Sequence, residues 1–274
     1  MYKLPTAPRP IGGVLDDAFG LYRATFKRCW LLALISGVVS AALSLYQTAN
    51  LRALPAPTSS HGMAALINGM QTLKQAPHST LASLTSVLVY LVMRAAIVAR
   101  QHAAATGVED SISSALGVGL RRLPSAIGAG IVWGILIVVG FMLLLIPGIW
   151  LWGMFQLWFV ALVVEQLGPI KALGRSWRLV EGNWWRTTAL VTVALVIIVI
   201  LSSGVGMAGV WFGYAASHGG GLGTLLLATQ LVSAAIQVVT TPLLMAVMLS
   251  MYYDLKLRRE GGDLAARLGS LQPV

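Results

Sequence analysis

Charge is scarce in this chain of 274 residues. Asp, Glu, Lys and Arg make up 10% of it, where a soluble domain carries roughly 25%. Hydrophobic residues make up 57%, and mean hydropathy is +0.79. That balance excludes a water-soluble globular domain and makes the bilayer the solvent for most of the surface. Cysteine is almost absent: the single Cys29 excludes an internal disulfide and offers no Cys-based metal site. Acids are few as well, nine against nineteen bases, for a net charge of +10. In a soluble protein that excess would point to nucleic acid. Here the positive-inside rule and anionic headgroups account for it, and no base-reading motif is present, so no nucleic-acid partner is expected.

Apolar length is what the chain does have. Six runs read as membrane spans: Trp30 to Gln47, Thr80 to Ala99, Ala126 to Ile146, Ile149 to Val164, Thr187 to Phe212, and a last run ending at Tyr253. Pro147-Gly148 is expected to reverse the chain between the third and fourth spans, and Pro242 to kink the sixth. Loops fall at residues 50 to 79, where Met63 to Leu73 suits a short outer helix, and at the Gly-rich His218 to Gly223. A secretory signal peptide is the rival reading near the start. The basic leader is long, carries Asp16 and Asp17, and keeps an amphipathic period, so a retained span is expected.

Six spans place both termini on one side. The outer segments hold two bases, Arg52 and Lys74, and no acid, so the remaining seventeen bases and all nine acids lie inside. Both termini are therefore expected in the cytoplasm.

Three basic amphipathic segments lead into spans. They are residues 11 to 29, Glu109 to Arg122, and Gly168 to Trp185. The last is the best defined: Pro169 suits a first helical position, Lys171, Arg175 and Arg178 share one face, and Gly182-Asn183 is a stop signal. Each segment carries an Ala-Phe/Leu-Gly step, at Ala18, Ala115 and Ala172. Ten residues beyond each glycine a span begins, at Trp30, Ile127 and Trp184. The expected architecture is one all-α polytopic membrane domain with six spans, three interfacial helices and three hairpin repeats. The repeat units are about 11–100, 109–165 and 169–253, followed by a cytoplasmic tail, 254–274. Gly130-x-x-x-Gly134 and Ser202-x-x-x-Gly206 are expected to permit close helix approach.

Metal or acid–base catalysis needs histidines and carboxylates to converge. His61, His78 and His218 fall outside and the acids inside. Only His102 shares a side with acids, Glu109 and Asp110. No catalytic residue, metal site or cofactor is expected. Two polar stripes stand out instead: Ser83, Ser86, Tyr90 and Arg94 on span two, and Gln230, Ser233 and Gln237 on span six. Span four carries Gln156 and ends at Glu165. The stripes either line a polar path or bond helix to helix; Arg94 is expected to snorkel to the inner interface, and its similar depth makes Glu165 a candidate partner. Candidate headgroup contacts are Arg23, Lys27, Arg28, Arg121, Arg122, Lys171, Arg175 and Arg178.

Ile146-Pro147-Gly148, Glu165, Gly168-Pro169, Ala172-Leu173, Ser176-Trp177, Leu179, Tyr253-Asp254, Arg258, Glu260 and Asp263 carry a family likeness. With a looser fit at Asp17-Ala18-Phe19 and Tyr22-Arg23, the chain resembles the membrane domain of bacterial glycerophosphoryl diester phosphodiesterase and its stand-alone relatives. The resemblance implies a bacterial inner-membrane protein without the separate catalytic barrel. The expected function is a non-enzymatic, lipid-contacting, envelope-supporting or scaffold role. The alternative is a transporter or channel subunit using spans two, four and six. Anionic lipids are the expected partners, while a homo-oligomer or a membrane-protein partner stays open.

Overall fold

The computed structural model describes residues 4–5, 7–52, 77–216 and 222–271. The expected outer helix at Met63 to Leu73 and residues 218–221 of the Gly-rich loop lie outside the described residues. Among the described residues the chain is all α. In order the helices are α1 (Ile11–Arg52), α2 (Pro77–Thr106), α3 (Ile112–Leu143), α4 (Leu145–Met154), α5 (Trp158–Val164), α6 (Pro169–Val180), α7 (Trp184–Ala216) and α8 (Leu222–Leu271). Six stretches are long and apolar enough to cross a membrane, with α4 and α5 together forming the fourth. The protein is a multi-pass membrane protein.

The three amphipathic segments differ in how they join their spans. The first is the opening of α1, which runs on through Trp30 because neither Gly, Pro nor Asn interrupts Lys27 to Leu32. The second is the start of α3. Ser111 caps it, its hydroxyl accepting from the Ser114 N–H at 3.1 Å while the Ser114 hydroxyl accepts from the Ser111 N–H at 3.1 Å. Pro124 lies inside this helix and does not end it. Only the third segment, α6, stands as a helix of its own. Pro169 occupies its first turn, and Gly182 just beyond its end adopts φ +79°, a left-handed conformation that favours glycine. The Ala of each Ala-Phe/Leu-Gly step is buried and each glycine is exposed, so the three segments share one burial pattern.

Two turns depart from the sequence expectation. The reversal between α3 and α4 lies at Leu144, whose backbone is extended, and Pro147-Gly148 instead sit within the first turn of α4. A proline fits there because the first N–H groups of a helix have no intrahelical partner. The fourth span is also interrupted, at residues 155–157. Ser176 of α6 accounts for the interruption. Its hydroxyl donates to the Met154 carbonyl at 2.9 Å and accepts from the Leu157 N–H at 3.1 Å. In a continuous helix Met154 C=O would take the Trp158 N–H, and Leu157 N–H would reach Gly153 C=O. One hydroxyl replaces both bonds.

The close helix approach expected at Gly130 and Gly134 occurs elsewhere. Gly134 and Gly206 have nothing within 4 Å of an added Cβ, whereas a Cβ on Gly140 would meet the Gly148 Cα at 3.1 Å. The chain forms two compact units that cut across the repeats: residues 1–33, 91–201 and 239–274, and residues 34–90 and 202–238. The first contains the main buried core, with Leu21, Ile97, Leu162, Leu179, Met245 and Tyr252 among its members. The second is joined in part by a hydrogen bond from Gln230 Nε2 to the Ser44 hydroxyl at 2.7 Å.

Candidate functional site

One cluster of charges in the first unit is centred on α6. This helix buries Ala172, Leu173, Ser176, Leu179 and Val180 and turns Lys171, Arg175 and Arg178 to the other side. Steps of four and three place those cations on one stripe. Arg175 is already engaged. Its Nε donates to Glu165 Oε1 at 2.7 Å and its Nη2 to Glu260 Oε1 at 2.6 Å. The Tyr252 hydroxyl donates to the same Glu165 oxygen at 2.5 Å. Burial alone would lower the Arg175 pKa, but the bonds to Glu260 and Glu165 outweigh it and hold the guanidinium above its ordinary value. Arg175 is thus a fixed cation that ties α6 to the end of the fourth span and to α8.

Beside it opens a cleft of about 590 Å³ lined by Glu165, Leu167, Lys171, Gly174, Arg175, Trp177 and Arg178. Lys171 and Arg178 are exposed on its border, and neither forms an ion pair among the described residues. Trp177 closes one wall, packed edge-on to Trp150 at 5.0 Å between ring centroids and tilted against Phe155 at 5.7 Å. The cleft joins two free cations to an apolar wall.

The turn that delivers α6 is strained and held. Gln166 adopts φ 54°, a left-handed conformation uncommon outside glycine. Arg122 clamps it, donating to its backbone carbonyl and to its Oε1, each at 2.7 Å. Arg122, expected on a lipid headgroup, serves this turn instead.

Two further clusters order the same unit. Asp254 is buried, and its carboxylate accepts from Arg186 Nη2 at 2.9 Å, Arg258 Nε at 2.9 Å and the Arg9 backbone N–H at 2.9 Å. The Arg9 carbonyl in turn accepts from Arg258 Nη2 at 2.7 Å and from Arg186. Arg9 sits between Pro8 and Pro10, which have no N–H, so both polar groups of its backbone are held by one cluster. Elsewhere, Arg100 Nε lies 3.1 Å from Asp110 Oδ2, and its Nη1 donates to the Arg28 carbonyl at 2.7 Å.

Residues 64–255 match the model of a family described as a domain of unknown function, DUF7847. The chain belongs to the DUF7847 family. No curated protein and no solved structure matches it. Glu165, Lys171, Arg175, Arg178 and Tyr252 all fall within the DUF7847 match, and Arg9 and Glu260 fall outside it.

The DUF7847 chain separates the remaining sequence candidates. Arg23, Lys27, Arg28 and Arg121 are exposed, as headgroup contacts must be. Glu165 meets Arg175 and Tyr252, and the Arg94 guanidinium lies over the Phe159 ring at 5.2 Å from its centroid. On the stripes, Ser86 donates to the Ser83 carbonyl at 2.7 Å and Ser233 to the Thr229 carbonyl at 2.8 Å, both within their own helices. Tyr90 is half-buried. Gln156 lies in the interruption of the fourth span, and its side-chain amide is buried without a hydrogen-bond partner among the described residues. The Gln237 Oε1 is in the same condition. His102 bonds the Tyr253 hydroxyl rather than Glu109 or Asp110, and no cluster of three or more His, Cys, Asp or Glu residues forms among the described residues. Sequence reasoning missed Tyr252, Asp254, Arg186 and Ser176 as organisers, since each has a partner 19 or more residues away.

Proposed function

We propose that this protein is a non-enzymatic component of the bacterial inner membrane that binds anionic lipid headgroups through the α6 cleft, with both termini in the cytoplasm. Its role on this reading is to organise or support the envelope. The observation that carries the reading is the pair of exposed cations, Lys171 and Arg178, unpaired among the described residues, on a cleft whose central Arg175 is fixed by carboxylates. Two free charges separated by about 10 Å along a helix suit diffuse headgroup charge at an interface. Trp177 and Trp150 supply the amphipathic rings that settle at headgroup depth. The resemblance to the phosphodiesterase membrane domain fits a membrane role. Ser86, Ser233 and Gln230 direct their hydrogen bonds within the protein, which favours lipid contact over a polar path through spans two and six.

The test is lipid selectivity in reconstituted protein. Spin-labelled phosphatidylglycerol is expected to be enriched at the protein over spin-labelled phosphatidylcholine. The Lys171→Ala/Arg178→Ala double variant should lose most of that preference, and the loss should shrink as salt is raised. Equal association of the two lipids with the unaltered protein would remove the basis for this function.

A further inference from the structure

Each Ala-Phe/Leu-Gly step ends in an exposed glycine, and only the third is flanked by cations on both sides. Three residues before and four after Gly20 stand Asp17 and Ala24, and around Gly117 stand Ser114 and Arg121. Around Gly174 stand Lys171 and Arg178. Seven residues make almost two whole turns, so these two cations lie on one line along α6, about 10 Å apart, with Gly174 between them.

The ground between the two cations is low and electrically balanced. Nothing lies within 4 Å of a Cβ added to Gly174, which lines the cleft as bare backbone. The cation in the middle, Arg175, is bonded to Glu165 and Glu260, and Lys256 lies 3.9 Å from Glu260. Those two bases and two acids cancel. Positive charge is therefore free at the two ends of the cleft and not at its centre. Glu165 lines the cleft as well, and Arg175 and Tyr252 both bond its Oε1, which leaves Oε2 as an acceptor.

That pattern discriminates among anionic headgroups. Phosphatidylglycerol has one phosphate and engages one end at a time. A headgroup with a phosphate on each side of a short glycerol bridge presents charge where the cleft is positive. Its bridge carries a hydroxyl, a donor, where the cleft offers a carboxylate and a floor without a side chain. Once one phosphate is held, the other binds intramolecularly, at a high effective concentration.

We infer that the α6 cleft takes one diphosphatidylglycerol molecule, its phosphates on Lys171 and Arg178 and its glycerol bridge across Gly174. The inference rests on the headgroup reading above and adds which headgroup. Leu167 and Trp177 supply the apolar surface beside it.

The experiment is native mass spectrometry of the full chain in detergent, titrated separately with diphosphatidylglycerol, phosphatidylglycerol and phosphatidylcholine. Two phosphates acting independently give diphosphatidylglycerol at most about a two-fold advantage over phosphatidylglycerol; bridging should raise it to about ten-fold or more. Gly174→Leu places a side chain under the bridge and spares both cations. It should bring the advantage down to about two-fold and leave phosphatidylglycerol binding unchanged. Lys171→Ala, which leaves a single free end, should do the same to the advantage and supports the inference should Gly174→Leu fail to fold. A two-fold advantage in the unaltered chain, with both anionic lipids still preferred over phosphatidylcholine, overturns the bridging and leaves the headgroup reading standing. A ten-fold advantage that survives in folded Gly174→Leu or in Lys171→Ala also overturns it. Equal binding of all three lipids removes both.

Discussion

Ser176 shows how much one hydroxyl can decide. It is fully buried, and it is the partner of both a carbonyl and an N–H that the fourth span cannot satisfy for itself. Ser176→Ala removes the partner and leaves both groups buried, a loss of about 1–3 kcal/mol by the usual cost of an unsatisfied buried polar group. Thermal unfolding in detergent should show the variant melting below the unaltered protein; an unchanged midpoint would mean that the two backbone groups find other partners. The bond was invisible in the sequence, because a serine in an amphipathic helix says nothing of which carbonyl it will meet. Arg94 and Glu165 teach the same lesson. Similar expected depth suggested the pair, and the structure gives Glu165 a second arginine, Arg175, ten residues further on, at 2.7 Å. Depth along a membrane normal narrows the choice of partners without fixing the angular position around each helix.

Among the elements, α6 was the most legible. Proline at its start and Gly-Asn at its end are local signals, and its bounds of Pro169–Val180 fall where those signals place them. The starts of α1 and α3 show amphipathic patterns of similar kind without a stop before the span, and there the helix simply continues. Burial pattern identifies a face; only capping chemistry identifies an end. Gly182 supplies that end for α6 through its left-handed backbone, φ +79°. Gly182→Ala is expected to destabilise by about 1–2 kcal/mol, the cost of placing a Cβ in that region. No side chain lies closer than 4.0 Å to the added Cβ, so packing contributes little to the change. Chemical denaturation should resolve the difference, and a variant as stable as the parent would show that the turn relaxes to negative φ. The interruption of the fourth span had no such local signature, since its cause lies on a different helix.

For the whole molecule, composition already settled membrane class and helical content, because few other folds tolerate 57% hydrophobic residues at 10% charge. The distribution of bases is the basis of the proposed orientation. A fluorescent protein fused to either terminus should fluoresce in intact bacterial cells, and alkaline phosphatase fused at the same points should stay inactive. Phosphatase activity at one terminus would require an odd number of crossings and would break the common-side topology. The candidate cleft was legible only in part. Its cations and Trp177 could be named from the sequence, but that Arg175 is occupied while Lys171 and Arg178 are open depends on Glu260, which α8 brings back from 85 residues away.

The Arg9–Asp254 cluster also has a bearing on biogenesis. Its two sides are 245 residues apart in the chain. At a synthesis rate of roughly 5–20 residues per second, the Arg9 backbone waits about ten seconds to a minute for the carboxylate that receives it. During that interval the N–H and carbonyl of Arg9 lack the partners that Asp254, Arg258 and Arg186 later supply. Arrival of Asp254 ends that interval. The cluster can thus form only on a chain whose last helix has been synthesised.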